Sequence, residues 1–127
     1  MTAPTVVSQA ALALDQIVEA LQDAGIAATR DPGAFFPQPT GVLVGLPTLT
    51  KRGLQTSTFT VPVLVVSGDP LNSLLAADRL LEQADRVALV LETDNYRPSQ
   101  WRSSVNAEPL PALEVTVTVT VTEGAPL

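Results

Sequence analysis

Over residues 5–24, apolar side chains recur in three- and four-residue steps. Val7, Ala10, Ala11, Leu14, Ile17, Val18 and Leu21 line one side, with Asp15, Glu19, Gln22 and Asp23 largely on the other. This period predicts an amphipathic helix, and Gly25 stands where a left-handed residue would end it. An extended piece over 26–30 follows. In residues 31–40, Pro32, Pro37 and Pro39 flank Phe35 and Phe36, which predicts an ordered loop and not a helix. Residues 41–46 (GVLVGL) read as a short strand stopped by Pro47, and 47–56 as a projecting loop holding Lys51, Arg52 and Gly53. Residues 57–67 alternate as a longer strand, with Phe59, Val61, Val63 and Val65 on one face and Leu64 and Val66 on the other. Pro62 removes a ladder donor, so this strand is expected at an edge or with a bulge.

Asp69 and Pro70 suit an N-cap and a first helical position, where the missing N–H of proline costs nothing. The helix they open is expected to run to about residue 92, with Leu71, Leu74, Leu75, Leu81, Ala84, Ala88 and Leu91 on one broad stripe and Asp78, Arg79, Glu82, Asp85 and Arg86 in solvent. No turn signal separates residues 87–91 (VALVL) from this helix, which favours helix there over a separate strand. Residues 93–111 read as a second long loop. Residues 112–122 alternate strictly, placing Val115, Val117, Val119 and Val121 toward a core and Thr116, Thr118, Thr120 and Thr122 toward water. Residues 123–127 are expected to fray. The order of elements predicts a single α+β domain over residues 1–127. Its two helices pack on one face of a small, mostly antiparallel β-sheet with long loops.

Composition narrows the function classes. The 127 residues carry a formal charge of −6, are 46% hydrophobic but only 4% aromatic, and include no His and no Cys. Zinc sites built on His or Cys, thiol nucleophiles, disulfides and Ser–His or Cys–His mechanisms are thereby excluded. Without a basic face the chain is not expected to be a general nucleic-acid binder, and it has no polybasic run for an anionic membrane. The first 25 residues lack Lys and Arg and hold only short apolar runs, which predicts neither a signal peptide nor a membrane span.

Chemistry-bearing patterns are few. The turn Ser67-Gly68-Asp69 presents N–H groups ahead of a helix, but the chain lacks a GxxxxGK[ST] loop and no lysine is near, so helix capping accounts for it. Asp78 and Glu82 lie one turn apart, beside Arg79 and Arg86, and read as a solvated charged face. No catalytic residue, metal site or cofactor is expected, and the chain is read as non-enzymatic.

Three features point to contact with other proteins. The last strand would span about 33 Å at strand rise, long against a radius of gyration near ~14 Å for this length. At an edge it would invite pairing with another chain, whereas a central position would absorb it. Lys51, Arg52, Arg97 and Arg102 lie on two predicted loops, either for solubility or for an acidic neighbour. Phe35, Phe36, Tyr96 and Trp101 also fall in loops, where aromatic side chains anchor interfaces or cap the ends of a core. These eight residues are the candidate interface.

The chain shows a leading helix closed at Gly25, a Pro-rich segment into GVLVGL, then STFTVPVLVV and the helix after Asp69–Pro70. A loop bearing Trp101 and the closing strand PALEVTVTVTV complete it. This arrangement resembles the small tail terminator (tail completion) proteins of long-tailed bacteriophages, particularly those infecting actinobacteria. The Ala-, Val-, Pro- and Thr-rich, Lys-poor composition suits a high-GC host. The resemblance implies a virion protein, made in the host cytoplasm, that caps the head-proximal end of the tail tube. It would stop tube polymerisation and offer a surface to the head–neck connector. It implies a homo-oligomeric ring, usually of six copies, with contacts from the 47–56 and 93–111 segments and the terminal strand. DNA would pass through its lumen without specific binding, which an acidic chain would assist by repulsion at close range. The family has no catalytic residues to carry over. Other readings of the same residues are a neck or head-closure protein, or a small-ligand-binding regulatory α+β domain taking an anion at Gly68–Asp69.

Overall fold

The computed structural model describes residues 9–35, 37, 40–68, 74–93, 95–102 and 109–122. Residues 5–8, Phe36, Pro39, Asp69, Pro70, Leu71 and the 123–127 tail, named above, lie outside these residues. The fold is α+β: two helices pack against a six-strand, mostly antiparallel open sheet. Helix α1 spans Gln9–Asp23 and helix α2 spans Leu74–Val90. The strands are β1 (Ala28–Thr29), β2 (Thr40–Val44), β3 (Thr48–Arg52), β4 (Thr56–Ser67), β5 (Tyr96–Trp101) and β6 (Leu110–Thr122). Their order is β1-β2-β4-β6-β5, with β3 also paired to β4. Only the β1–β2 pair is parallel.

The core lies between the helices and one face of the sheet. Phe59, Val61, Val63 and Val65 of β4 and Val115, Val117 and Val121 of β6 bury there, as their alternation requires. Ala13, Leu14, Ile17 and Leu21 cover them from α1. At the end of α1, Ile26 N–H donates to Leu21 C=O and Gly25 N–H to Gln22 C=O, at 2.9 and 3.0 Å. Gly25 has φ +81°, so this is a Schellman end closed by two fully buried apolar residues, Leu21 and Ile26.

Several expectations need correction. The 31–40 loop contains a 3-10 turn at Pro32–Ala34, capped by the Asp31 carboxylate accepting from Gly33 N–H. Residues 47–56 are not simply a loop: they form β3 and the turn of a hairpin with β4. Residues 93–111 likewise include β5, whose Pro98 is tolerated because β5 is an edge strand. Strand β4, expected at an edge, is interior and pairs on both sides. Pro62 survives there because its carbonyl points away from β6 and accepts from Gly45 N–H at 2.8 Å. A residue's N and C=O point to the same side of a strand, so the missing donor falls in the gap between β2 and β3. The irregular residue is instead Thr50 of β3, where the register shifts between Leu49 and Lys51.

Helix α2 is rotated from its predicted stripe. It buries Leu80, Ala84, Val87 and Ala88, and leaves Leu74, Leu75 and Leu81 exposed. Of the predicted stripe Ala84 and Ala88 are buried, while Leu80 and Val87 take the sheet-facing places expected of Leu74, Leu75 and Leu81. Small Ala84 and Ala88 face the sheet because they let the helix approach it closely. The helix continues through residue 90 as preferred over a separate strand, then ends at Glu92, whose φ is 54°.

Candidate interaction surface

The sheet has two unequal halves. In the wide half, β1, β2, the second part of β4, the first part of β6 and β5 lie side by side. In the narrow half only β3, residues 56–60 of β4 and residues 118–122 of β6 remain. The cause is register: β5 pairs with β6 only from Leu110 to Val115. Beyond that point no described strand pairs with the outer side of β6, or with the outer side of β3.

The face of the wide half opposite the helices is covered by aromatics. Gly41, Val66, Ala112 and Ser99 form one row across β2, β4, β6 and β5. Phe35 lies over this row, close enough to Gly41 that a Cβ there would meet its ring at 2.7 Å. It stacks edge-on against Trp101. Two of the candidate anchors are thus mutual partners that cap a second, smaller apolar layer, while Phe36 lies outside the described residues.

The other candidates are dispersed. Tyr96 and Arg97 are neighbours on β5 but point to opposite faces. The Tyr96 hydroxyl donates to Asp85 of α2 at 2.9 Å. That bond, with some desolvation and the carboxylate's charge, holds the phenol above its ordinary value of 10.0. Arg97 pairs across the strands with Glu114 at 2.7 Å, as their register opposite one another allows. Arg102 is exposed. Lys51 and Arg52 stand on β3, all of whose residues are exposed, and make no ion pair among the described residues.

Periodicity placed Leu74 on the apolar stripe of the second helix and did not single out Leu46, Leu54 or Leu89, since an exposed leucine taken alone is ordinary on a surface. Leu46 and Leu54 flank β3 at 84% and 100% exposure, and Leu74 and Leu89 lie on α2 at 78% and 80%. The threonines of the narrow half, Thr58, Thr60, Thr118, Thr120 and Thr122, share the face away from the helices. Thr58 and Thr120 hydroxyls are 3.1 Å apart there.

A cleft of about 340 Å³ lies between α1, β1 and Phe35, lined mainly by small residues such as Ala28, Ala34 and Gly41. Among the described residues that line it, none has a titratable side chain. Among the described residues no group of three or more acidic, His or Cys side chains is placed to hold a metal, and no helix is long and apolar enough to cross a membrane. No protein-family profile matches the chain, and no curated protein matches it in sequence.

Proposed function

We propose that this protein is a non-enzymatic structural component of a phage virion. In this reading it is a tail terminator that assembles as a homo-oligomeric ring, of six copies by the resemblance, on the head-proximal end of the tail tube. It ends tube polymerisation and presents a surface for head or neck joining. The observation that carries the reading is the narrow half of the sheet, open along both edges and bordered by exposed leucines. Over residues 118–122 the β6 edge carries none of the charge or bulges by which solitary domains block an edge, whereas β3 has Lys51, Arg52 and the irregularity at Thr50. Exposed apolar side chains beside an edge favour protein contact.

The reading also draws on the element order of the resemblance, a leading helix, a second helix between the long strands and a long closing strand, although Trp101, placed there in a loop, lies in β5. Six of the thirteen carboxylates lie on the helices: Asp15, Glu19 and Asp23 on α1, and Asp78, Glu82 and Asp85 on α2. The threonine face of the narrow half is neutral apart from Lys51. A lumen lined by that face would present hydroxyl groups to DNA passing without specific binding.

The test is tube growth in vitro, with purified tail-tube subunits and this protein added at increasing ratio. Tubes that shorten and carry a ring at one end support the reading. Tube lengths unchanged at every ratio, with no ring at either end by electron microscopy, overturn it.

A further inference from the structure

The two open edges of the narrow half lie on opposite sides of the same three strands, and they differ in chemistry. One is β3, with Lys51, Arg52 and the half-exposed Leu49. The other is the end of β6. The Thr93 hydroxyl donates to the Thr116 carbonyl at 3.1 Å, so that carbonyl points to the β5 side. By the period of two, the N–H and C=O groups of Thr118, Thr120 and Thr122 point the same way, where no described residue meets them.

Helix α2 overhangs this second edge. Asp85 reaches Tyr96 on β5, and Leu89 lies one turn further along that flank. Glu92 follows, just before Thr93. The β6 edge is therefore bordered by an apolar side chain and a carboxylate, and the β3 edge by an apolar side chain and two cations.

We propose that copies of this chain join side by side, with β3 of one pairing along residues 118–122 of β6 in the next. Strand β3 runs antiparallel to β4, and β4 antiparallel to β6. Copies repeated sideways therefore meet in a parallel pair. Registers that keep Leu49 on the helix-covered face place it beside Val119 and Val121, continuing one apolar face across the joint. In this parallel pairing Arg52 shares the helix-covered face with Leu49 and follows it toward the Thr122 end, Lys51 lies on the threonine face, and Leu89, near the Thr116 end, loses its exposure. The contact is head-to-tail, so each copy uses two different edges and the chain of copies closes into a ring or grows. This rests on reading the protein as an assembly component, and not on the tail tube.

Sedimentation across a concentration series tests the contact on the full chain. Wild type is expected to form species larger than two copies. Thr120→Pro removes an N–H that serves only the open edge, while Lys51→Glu with Arg52→Glu reverses the charge of the other edge. Each is expected to weaken association by about tenfold or more. Should Thr120→Pro fail to fold by far-UV circular dichroism, Leu89→Glu replaces it, since its side chain is outside the core.

Mixing the two edge variants decides the geometry. Each retains one good edge, so the mixture is expected to form a species of twice 13.3 kDa and stop there. Wild type that stays monomeric at every concentration overturns the proposal. So does a folded Thr120→Pro or Leu89→Glu variant that associates like wild type, or a β3 variant that dimerises alone as well as wild type through β6 against β6. Association by these edges in a protein that does not stop tube growth supports this contact and removes the tail reading. Tube capping by variants that no longer associate removes this contact and leaves the tail reading standing.

Discussion

Phe35 meets Trp101 edge-on, with ring centroids 4.9 Å apart and planes at 80°. Phe35 belongs to the connection between β1 and β2, and Trp101 to β5, so the pair joins the two sides of the sheet across its helix-free face. Side chains in the row beneath are small, which leaves room for the rings. Alanine at either position is expected to cost ~2–3 kcal/mol. A double-mutant cycle should return a coupling of about 1 kcal/mol, beyond the loss of buried area. Because Trp101 is the only tryptophan, a red shift of its emission in Phe35→Ala reports the same contact.

Gly41 is the position beneath that pair where a side chain has no place. A Cβ would lie 2.7 Å from the Phe35 ring and 2.9 Å from Pro37 Cα, and the latter is backbone that cannot swing aside. Gly41→Ala is expected to destabilise by ~2 kcal/mol in urea unfolding. An Ala variant as stable as wild type would mean that the 35–37 segment does not rest on β2.

Both helices close with the same pattern of hydrogen bonds, but only one uses glycine. Thr93 N–H donates to Ala88 C=O at 3.0 Å and Glu92 N–H to Leu89 C=O at 3.3 Å, with Glu92 left-handed at φ 54°. Glu92→Gly removes the steric cost of that conformation and is expected to stabilise the protein by ~1 kcal/mol. Gly25→Ala imposes it at φ +81° and is expected to cost about the same. Urea midpoints measured at low protein concentration check both.

Tyr96 is the one tyrosine of the chain, so its ionisation is read directly by ultraviolet difference titration. Its hydrogen bond to Asp85 favours the neutral phenol, so tyrosinate should appear above the ordinary value of 10.0. Asp85→Asn removes the carboxylate's charge and is expected to shift the titration down toward that value. The sign for stability follows: a raised folded pKa contributes fully below the unfolded value and is lost as pH rises through the folded one. An Asp85→Asn titration that coincides with wild type would mean that the bond does not persist in solution.

The alternation over residues 112–122 and the stripe of α1 already determined two of the largest elements, because period two and period 3.6 follow from local backbone geometry. The class of fold followed from their order, and the absence of His and Cys narrowed the chemistry without any structure. Long-range register decided the rest. Residues 48–52 and 96–101 became strands because β4 and β6 were there to pair with them, and neither segment shows enough alternation alone. Pro62 entered an interior strand because β2 and β3 part beside it, which no local pattern around the proline records. The aromatic pair, the rotation of α2 and the two open edges likewise depend on which residues lie opposite one another. A one-residue step along a strand changes its face, and the point where β5 stops at Val115 determines how much of β6 is left for a neighbour.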